Sequence, residues 1–106
     1  KAAAINWTHH LALQVASFNI NVNAVCPGSL WTPMWEKIAI MRKAHDPSLA
    51  AFSPHEIFMQ SVEERMPLGR EQTPEHIGRA VAFLASDDAR VITGQALNVN
   101  GGAVMD

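Results

Sequence analysis

An alternating stretch of polar and apolar residues leads into a proline-glycine pair and then a threonine. Asn19 to Val25 alternates asparagine with β-branched or small apolar residues, which predicts a strand. Pro27 and Gly28 end that strand, and Thr32 follows with a hydroxyl that both donates and accepts hydrogen bonds. Open α/β sheets bind ligands at the carboxyl ends of their strands, so this turn is the first candidate for a binding site. The plain alternative is a surface turn, the commoner use of a proline-glycine pair.

The other side chains with chemical potential form no catalytic or metal-binding pattern in the sequence. His9 and His10 are adjacent, so they face different sides of a helix, unlike a metal-binding pair four residues apart. We therefore interpret the histidines as solvated or packed. Cys26 is the single cysteine and has no base beside it in sequence, so we interpret it as an inert buried thiol.

The elements that must position the turn are predicted in the order helix, strand, helical insert, helix and strand. Residues 1–17 favour a helix because they are rich in alanine and lack glycine and proline. Gly94 to Asn100 is predicted as a second strand, which Gly101 and Gly102 end. A strand, a helical crossover and another strand form the βαβ unit of a parallel sheet. The predicted fold class is therefore α/β, with one edge of the first strand still in need of a partner.

Two helices are predicted after the turn, each opening with a capping residue followed by proline. Ser53 and Glu56 form a capping box around Pro54. Thr73 precedes Pro74 at the start of the second helix. The apolar face of the first helix comprises Ile57, Phe58, Val62 and Met66, and a turn follows over Met66–Arg70. The stripe predicted to be buried on the second helix comprises Ile77, Ala80, Val81 and Leu84.

Three segments together resemble the short-chain dehydrogenase/reductase family. The run Asn23–Thr32 is similar to the family's Asn-x-x-x-Pro-Gly-x-x-x-Thr motif, which follows the sixth strand of its sheet. The run Thr93–Gly102 is similar to the strand that ends the family's catalytic domain, with Asn100 where aspartate is usual. The turn Pro67–Arg70 with the helix Pro74–Ser86 resembles the family's turn and following helix almost position by position.

The resemblance implies that residues 1–106 are the C-terminal half of one doubly wound Rossmann domain. That domain would belong to an NAD- or NADP-dependent oxidoreductase transferring hydride between the nicotinamide and an alcohol or carbonyl substrate. Lys1 resembles the lysine of the family's Tyr-x-x-x-Lys pair, which binds the nicotinamide ribose and stabilises the tyrosine phenolate. The backbone at Pro27 and Gly28 would lie against the nicotinamide. The Leu30 amide and the Thr32 hydroxyl would bind its carboxamide or the pyrophosphate.

Residues 34–66 are the part of the chain that the resemblance leaves unassigned, and in the family this region is the substrate lid. A long insert between a strand and a helix is uncommon in compact domains unless it covers a site. Trp31, Met34 and Trp35 lie nearest the turn in sequence, so they are the candidates for the substrate pocket. Ordinary packing is the alternative for these side chains.

Composition excludes several function classes. The net charge of −2 over 106 residues provides no basic stripe for nucleic acid, and no apolar run approaches the length of a membrane span. One cysteine and no signal-peptide pattern predict a cytoplasmic protein. The chain begins with Lys1 instead of methionine and contains no tyrosine. We therefore expect an N-terminal half with the glycine-rich loop, the catalytic serine and the tyrosine, and we expect the isolated chain to be inactive.

The alternative to an enzyme is a non-catalytic protein that acts in assembly or binding. The segments Pro74–Ser86 and Gly94–Asn100 resemble the elements by which family members pack into homodimers and homotetramers. A fragment carrying them would self-associate or pair with a full-length partner, since an exposed apolar face favours association. A Tyr-x-x-x sequence encoded just before Lys1 would favour the enzyme, whereas an initiator methionine there would favour the stand-alone module.

Overall fold

The structure, a computed structural model, describes residues 1–105. Its elements are α1 (Ala2–Val15), β1 (Ala24–Pro27), α2 (Pro33–His45), α3 (Pro54–Arg65), α4 (Pro74–Ala85) and β2 (Ala96–Val99). Short 3₁₀ turns cover Ala16–Phe18, Pro47–Leu49 and Asp87–Ala89. The chain divides into two compact units: 1–27 with 75–99, and 28–74 with the described end of the chain from Asn100.

The first unit contains a parallel sheet of two strands. β1 and β2 pair in a register that places Ala24 opposite Ala96 and Pro27 opposite Val99. This arrangement confirms the predicted α/β class and the parallel pairing of the two strands. β2 is shorter than the predicted Gly94 to Asn100, since it covers Ala96–Val99. Gly101, just beyond it, has a φ of 62°, a left-handed conformation that favours glycine and ends the extended chain.

β1 begins later than the alternating pattern predicts. Asn19 has a φ of 57°, so it ends the 3₁₀ turn instead of starting a strand. The side-chain amide of Asn21 then donates to the Arg90 carbonyl at 2.9 Å, and that of Asn23 donates to the Ile92 carbonyl at 2.9 Å. This segment is therefore tied by side chains to the loop before β2, and the prediction of a strand from Asn19 is wrong.

The second unit is built on α2 and α3, which begin by the same device. Ser53 caps α3: its hydroxyl accepts from the Glu56 N–H at 3.1 Å, and the Glu56 carboxylate accepts from the Ser53 N–H at 3.3 Å. The predicted capping box is confirmed. α2 lies mostly in the segment 34–66, which is predicted as a helical insert without bounds for a helix here. Thr32 followed by Pro33 carries the same cap-and-proline signal that identifies α3.

The core of the second unit confirms the predicted face of α3. Phe58, Val62 and Met66 form one buried cluster, against which Trp31, Trp35 and Met59 pack. Ile57 joins Ala39 and Leu49 in a second cluster, against which Phe52 packs. The predicted turn after α3 is also confirmed, since the Gly69 N–H donates to the Met66 carbonyl at 2.7 Å.

α4 has the predicted apolar face but does not bury it. None of its residues is buried: Ile77, Ala80 and Leu84 are partly exposed and Val81 is exposed. Helical periodicity identifies the apolar face, whereas burial depends on a covering surface that the helix does not encode. Within residues 1–105, no helix combines the length and the apolar character that crossing a membrane requires.

Candidate functional site

Gly28 lies so close to a neighbouring segment that a larger residue would displace it. A Cβ atom built at Gly28 would lie 2.9 Å from the Cα of Asn100 and 3.0 Å from Oε1 of Gln72. Real Cβ atoms essentially never approach backbone this closely, so any larger residue requires a shift of the chain. The glycine after Pro27 is therefore required by a close approach of two segments, which is a stronger constraint than a surface turn imposes.

Gln72 holds the chain on both sides of Ser29. Its side-chain Oε1 accepts a hydrogen bond from the Gly28 N–H at 2.9 Å. Its backbone pairs with Leu30 in an isolated parallel bridge. The residue is buried, with 7% of its surface exposed. We refer to residues 28–30 as the Gly28–Leu30 turn. No local sequence pattern links Gln72 to Gly28, because the two residues lie 44 positions apart.

Thr32 places its hydroxyl at the beginning of α2. Its Oγ1 accepts from the Trp35 N–H at a long 3.4 Å, and its carbonyl accepts from the Glu36 N–H at 2.9 Å. The cap uses a lone pair of the hydroxyl oxygen, so the hydroxyl proton is left to donate. A donor at this place suits an acceptor such as a carboxamide oxygen or a phosphate oxygen.

The three predicted pocket residues differ in exposure. Trp31 packs on His55 with ring centroids 5.0 Å apart in an edge-on geometry, and on Phe58 at 5.3 Å. Trp35 packs on Phe58 at 5.2 Å. Both indoles therefore contribute to the core of the second unit. Met34 has 71% of its surface exposed and is the member of the set that is open to solvent.

His55 and Glu71 contact each other through their side chains beside this aromatic cluster. Nε2 of His55 lies 3.1 Å from Oε1 of Glu71, and both side chains are partly exposed. The His55 ring also contacts Trp31. The pair connects the first turn of α3 to the loop that contains Gln72, the residue after Glu71. No group of three or more His, Cys, Asp or Glu side chains within residues 1–105 is arranged to hold a metal ion.

The remaining predicted site residues belong to the first unit. Lys1 is exposed and precedes α1, and its carbonyl accepts from the Ile5 N–H at 3.2 Å. Pro27 is exposed at the end of β1. Cys26 lies beside it and is half-buried, less enclosed than the predicted buried thiol. Among the predicted site residues, Gly28 and Leu30 therefore share a contact with Gln72. The roles assigned to Lys1 and Pro27 stay predictions.

Asn100 uses both ends of its side-chain amide. Its Nδ2 donates to the Val104 carbonyl at 3.1 Å, and its Oδ1 accepts from the Gly102 N–H at 3.0 Å. The residue is buried. A carboxylate has no donor, so the first of these bonds depends on asparagine at a position where the family resemblance makes aspartate usual.

Comparison with known proteins gives consistent matches along the chain. The family described as enoyl-(acyl carrier protein) reductase matches residues 1–104. The 3-oxoacyl-[acyl-carrier-protein] reductase of Thermotoga maritima is 38% identical over 105 residues, which are 99% of this chain and 36% of that protein. L-sorbose reductase from Gluconobacter frateurii, solved with NADPH and L-sorbose, superposes with a TM-score of 0.85 at 28% identity, covering 99% of this chain and 38% of its own.

A short chain dehydrogenase family protein from Francisella tularensis superposes with a TM-score of 0.82 at 32% identity, over 97% of this chain and 40% of its own. The chain therefore spans less than half the length of the relatives it matches. The matched residues include the Gly28–Leu30 turn, α4 and β2. The chain belongs to the short-chain dehydrogenase/reductase family.

Proposed function

We propose that this chain forms the nicotinamide-side part of an NAD- or NADP-dependent oxidoreductase acting on an alcohol or carbonyl substrate. The observation that carries the proposal is the Gly28–Leu30 turn, which directly follows the carboxyl end of β1 in the segment that matches the family. Open α/β sheets bind ligands at the carboxyl ends of their strands, so the position of this turn supports cofactor contact. The relative from Gluconobacter frateurii, which contains NADPH, supports the same cofactor class for this chain.

The donors near the turn fit such a cofactor. The Thr32 hydroxyl has a proton to donate, and the Leu30 amide follows Gly28 by two residues. We assign both to the carboxamide or the pyrophosphate, and we assign Lys1 to the nicotinamide ribose. When bound, the cofactor supplies or accepts the hydride. The residues of this chain hold its nicotinamide end in place.

Proton transfer to the substrate oxygen requires an acid, and the family resemblance implies a tyrosine in that role. The family's catalytic tyrosine has no counterpart here, because the sequence contains no tyrosine. We therefore propose that the 106 residues alone do not turn over substrate, and that turnover requires the glycine-rich loop, the serine and the tyrosine on additional polypeptide. We also propose that the working enzyme is a homodimer or homotetramer and is cytoplasmic.

The substrate pocket is assigned to Trp31, Met34 and Trp35, with residues 34–66 as the lid. Met34 supports this assignment because its side chain is open to solvent. Trp31 and Trp35 give weaker support, because their indole rings pack on Phe58 in the core of the second unit. The related reductases named above act on a 3-oxoacyl group and on L-sorbose, so a carbonyl compound is the substrate class to test first.

The test is oxidation of NADH and NADPH with a panel of ketones, 3-oxoacyl thioesters and ketoses. The 106-residue chain is assayed alone and again with the polypeptide encoded upstream of Lys1, supplied in cis or in trans. We expect no turnover from the chain alone and turnover with the upstream polypeptide. A combined preparation that binds dinucleotide but reduces nothing in the panel would count against the proposed reaction.

A second candidate function is assembly, and exposed apolar side chains favour it. Trp7 and Leu13 of α1 are exposed, and Val81 and Phe83 of α4 are about half exposed. Apolar surface of this kind often marks an interaction site. Sedimentation of the chain over a range of concentrations tests it. Concentration-dependent association that Val81→Ser weakens, without any dinucleotide binding, would favour assembly over the enzyme.

A further inference from the structure

Gln72 is a buried amide whose side chain serves a backbone group distant in sequence. Its Oε1 accepts from the Gly28 N–H at 2.9 Å, a distance typical of a well-formed hydrogen bond. A backbone N–H without a partner is costly, so this side chain satisfies a donor that the strand ladder no longer reaches. The turn itself lies beyond β1, which ends at Pro27.

The same residue also fixes the far side of the turn. The backbone of Gln72 pairs with Leu30, so one residue contacts the turn through both its side chain and its main chain. Asn100 limits the space beside Gly28, since its Cα would lie 2.9 Å from a Cβ at Gly28. The Gly28–Leu30 turn is therefore confined by two residues that come from different parts of the chain.

We propose that Gln72 is a positioning residue for cofactor binding, holding the Gly28–Leu30 turn in the conformation that receives the nicotinamide. The inference rests on the proposed function, because it assigns a purpose to a turn whose cofactor contact is itself proposed. Gln72 does not act on the reacting atoms. Its effect is expected in the affinity for the cofactor, through the freedom of the Gly28 and Leu30 amides.

The test compares Gln72→Met, which keeps the length of the side chain but has no acceptor, with Gln72→Glu, which keeps an oxygen at the same reach. Arg70→Met is the matched control, since it introduces the same side chain at an exposed position of the same loop and leaves the Gly28 bond intact. Each variant is made in the preparation that shows turnover. Hydrogen exchange of the Gly28 amide, the KM for NADH or NADPH, and kcat at saturating cofactor are measured for each.

We expect Gln72→Met to raise the exchange rate of Gly28 and the KM for the cofactor by about tenfold, the effect of losing one hydrogen bond. We expect kcat at saturating cofactor to change little. We expect Gln72→Glu, which keeps an acceptor for the Gly28 N–H, to return the exchange rate of that amide toward the wild-type rate. A merely structural role would lower kcat and raise KM together in the Gln72 variants.

Two results would overturn the inference. Unchanged exchange at Gly28 in Gln72→Met would show that the hydrogen bond does not hold the turn. Faster exchange with an unchanged cofactor KM would show that the turn is held but that its position does not matter for binding. Amide exchange needs no cofactor, so it also separates the two proposals. If the wild type keeps Gly28 protected but binds neither dinucleotide, the proposed function fails and the cofactor role of Gln72 fails with it.

Discussion

At and near the Gly28–Leu30 turn, the size of each side chain and its hydrogen-bonding groups determine which residue fits the position. Gly28 has no room for one additional carbon beside Asn100. Thr32 uses an acceptor lone pair as a helix cap and keeps a proton to donate. Asn100 uses a donor and an acceptor at once. The sequence motif predicts the glycine and the threonine, but the reason for the asparagine is visible only in the structure.

Asn100→Asp is expected to destabilise the protein. The carboxylate cannot donate to the Val104 carbonyl, so that bond is lost at a buried residue. We expect the free energy of unfolding in urea to fall by about 1–3 kcal/mol. Asn6→Asp makes the same change of charge at an exposed position of α1 and is the control. Equal stability of the two variants would contradict the explanation.

The lowered pKa of Asp46 is expected to rise part of the way to its ordinary value when the Ser48 hydroxyl is removed. The pKa of this carboxyl lies below its ordinary value because the Ser48 hydroxyl donates to it at 2.6 Å and the Ser48 N–H at 2.9 Å, with a smaller contribution from the Arg42 charge. A lowered pKa in the folded state adds stability above the unfolded-state pKa, and that stability is lost as pH falls through the folded-state pKa.

Ser48→Ala should therefore raise the pKa of Asp46 toward its ordinary value, as followed by NMR titration of the side-chain carboxyl. Ser29→Ala, which changes a serine remote from Asp46 in sequence, should leave that titration unchanged. A Ser48→Ala variant with the wild-type titration would show that the hydrogen bond from the Ser48 hydroxyl does not lower this pKa.

Among the elements, those encoded by local signals are the ones that the sequence predicts. The capping box at Ser53 fixes the start of α3 because all its atoms lie within four residues. The equivalent signal, Thr32 followed by Pro33, marks the start of α2. The start of β1 could not be predicted from alternation alone, because Asn21 and Asn23 bond to a loop about 70 positions away. Long-range hydrogen bonds of this kind have no local signature.

Phe58→Ala is expected to destabilise the second unit most strongly. Phe58 is fully buried and contacts the rings of Trp31 and Trp35. Removing it leaves a cavity, and substitutions of this type cost about 3–5 kcal/mol. We expect a lower midpoint of urea unfolding and a red shift of tryptophan fluorescence. Met41→Ala, at an exposed position of α2, is the control and should change neither. A loss under about 1 kcal/mol at Phe58 would contradict its central place in the core.

At the scale of the whole chain, the motifs predicted the family, and the comparisons confirm it over residues 1–104. The matched length, 36% to 40% of these relatives, leaves the activity and the partners as proposals. Gln72 could not be predicted, because it meets Gly28 across 44 positions and only the fold brings them together. Whether α4 is covered could not be predicted either, since a helix does not encode the surface that packs on it.

The most direct test of the central claim is an NMR titration of NADH and, separately, NADPH into the protein that carries this chain. We expect the Gly28 and Leu30 amide signals to shift saturably with one of them. Gly28→Ala should weaken that binding by about tenfold or more, because the added Cβ would meet the Asn100 backbone at 2.9 Å. Gly78→Ala, where a Cβ would meet no atom within 4 Å, is the matched control and should bind as the wild type does. Shifts confined to other residues, with equal binding by both glycine variants, would contradict the claim that this turn receives the nicotinamide.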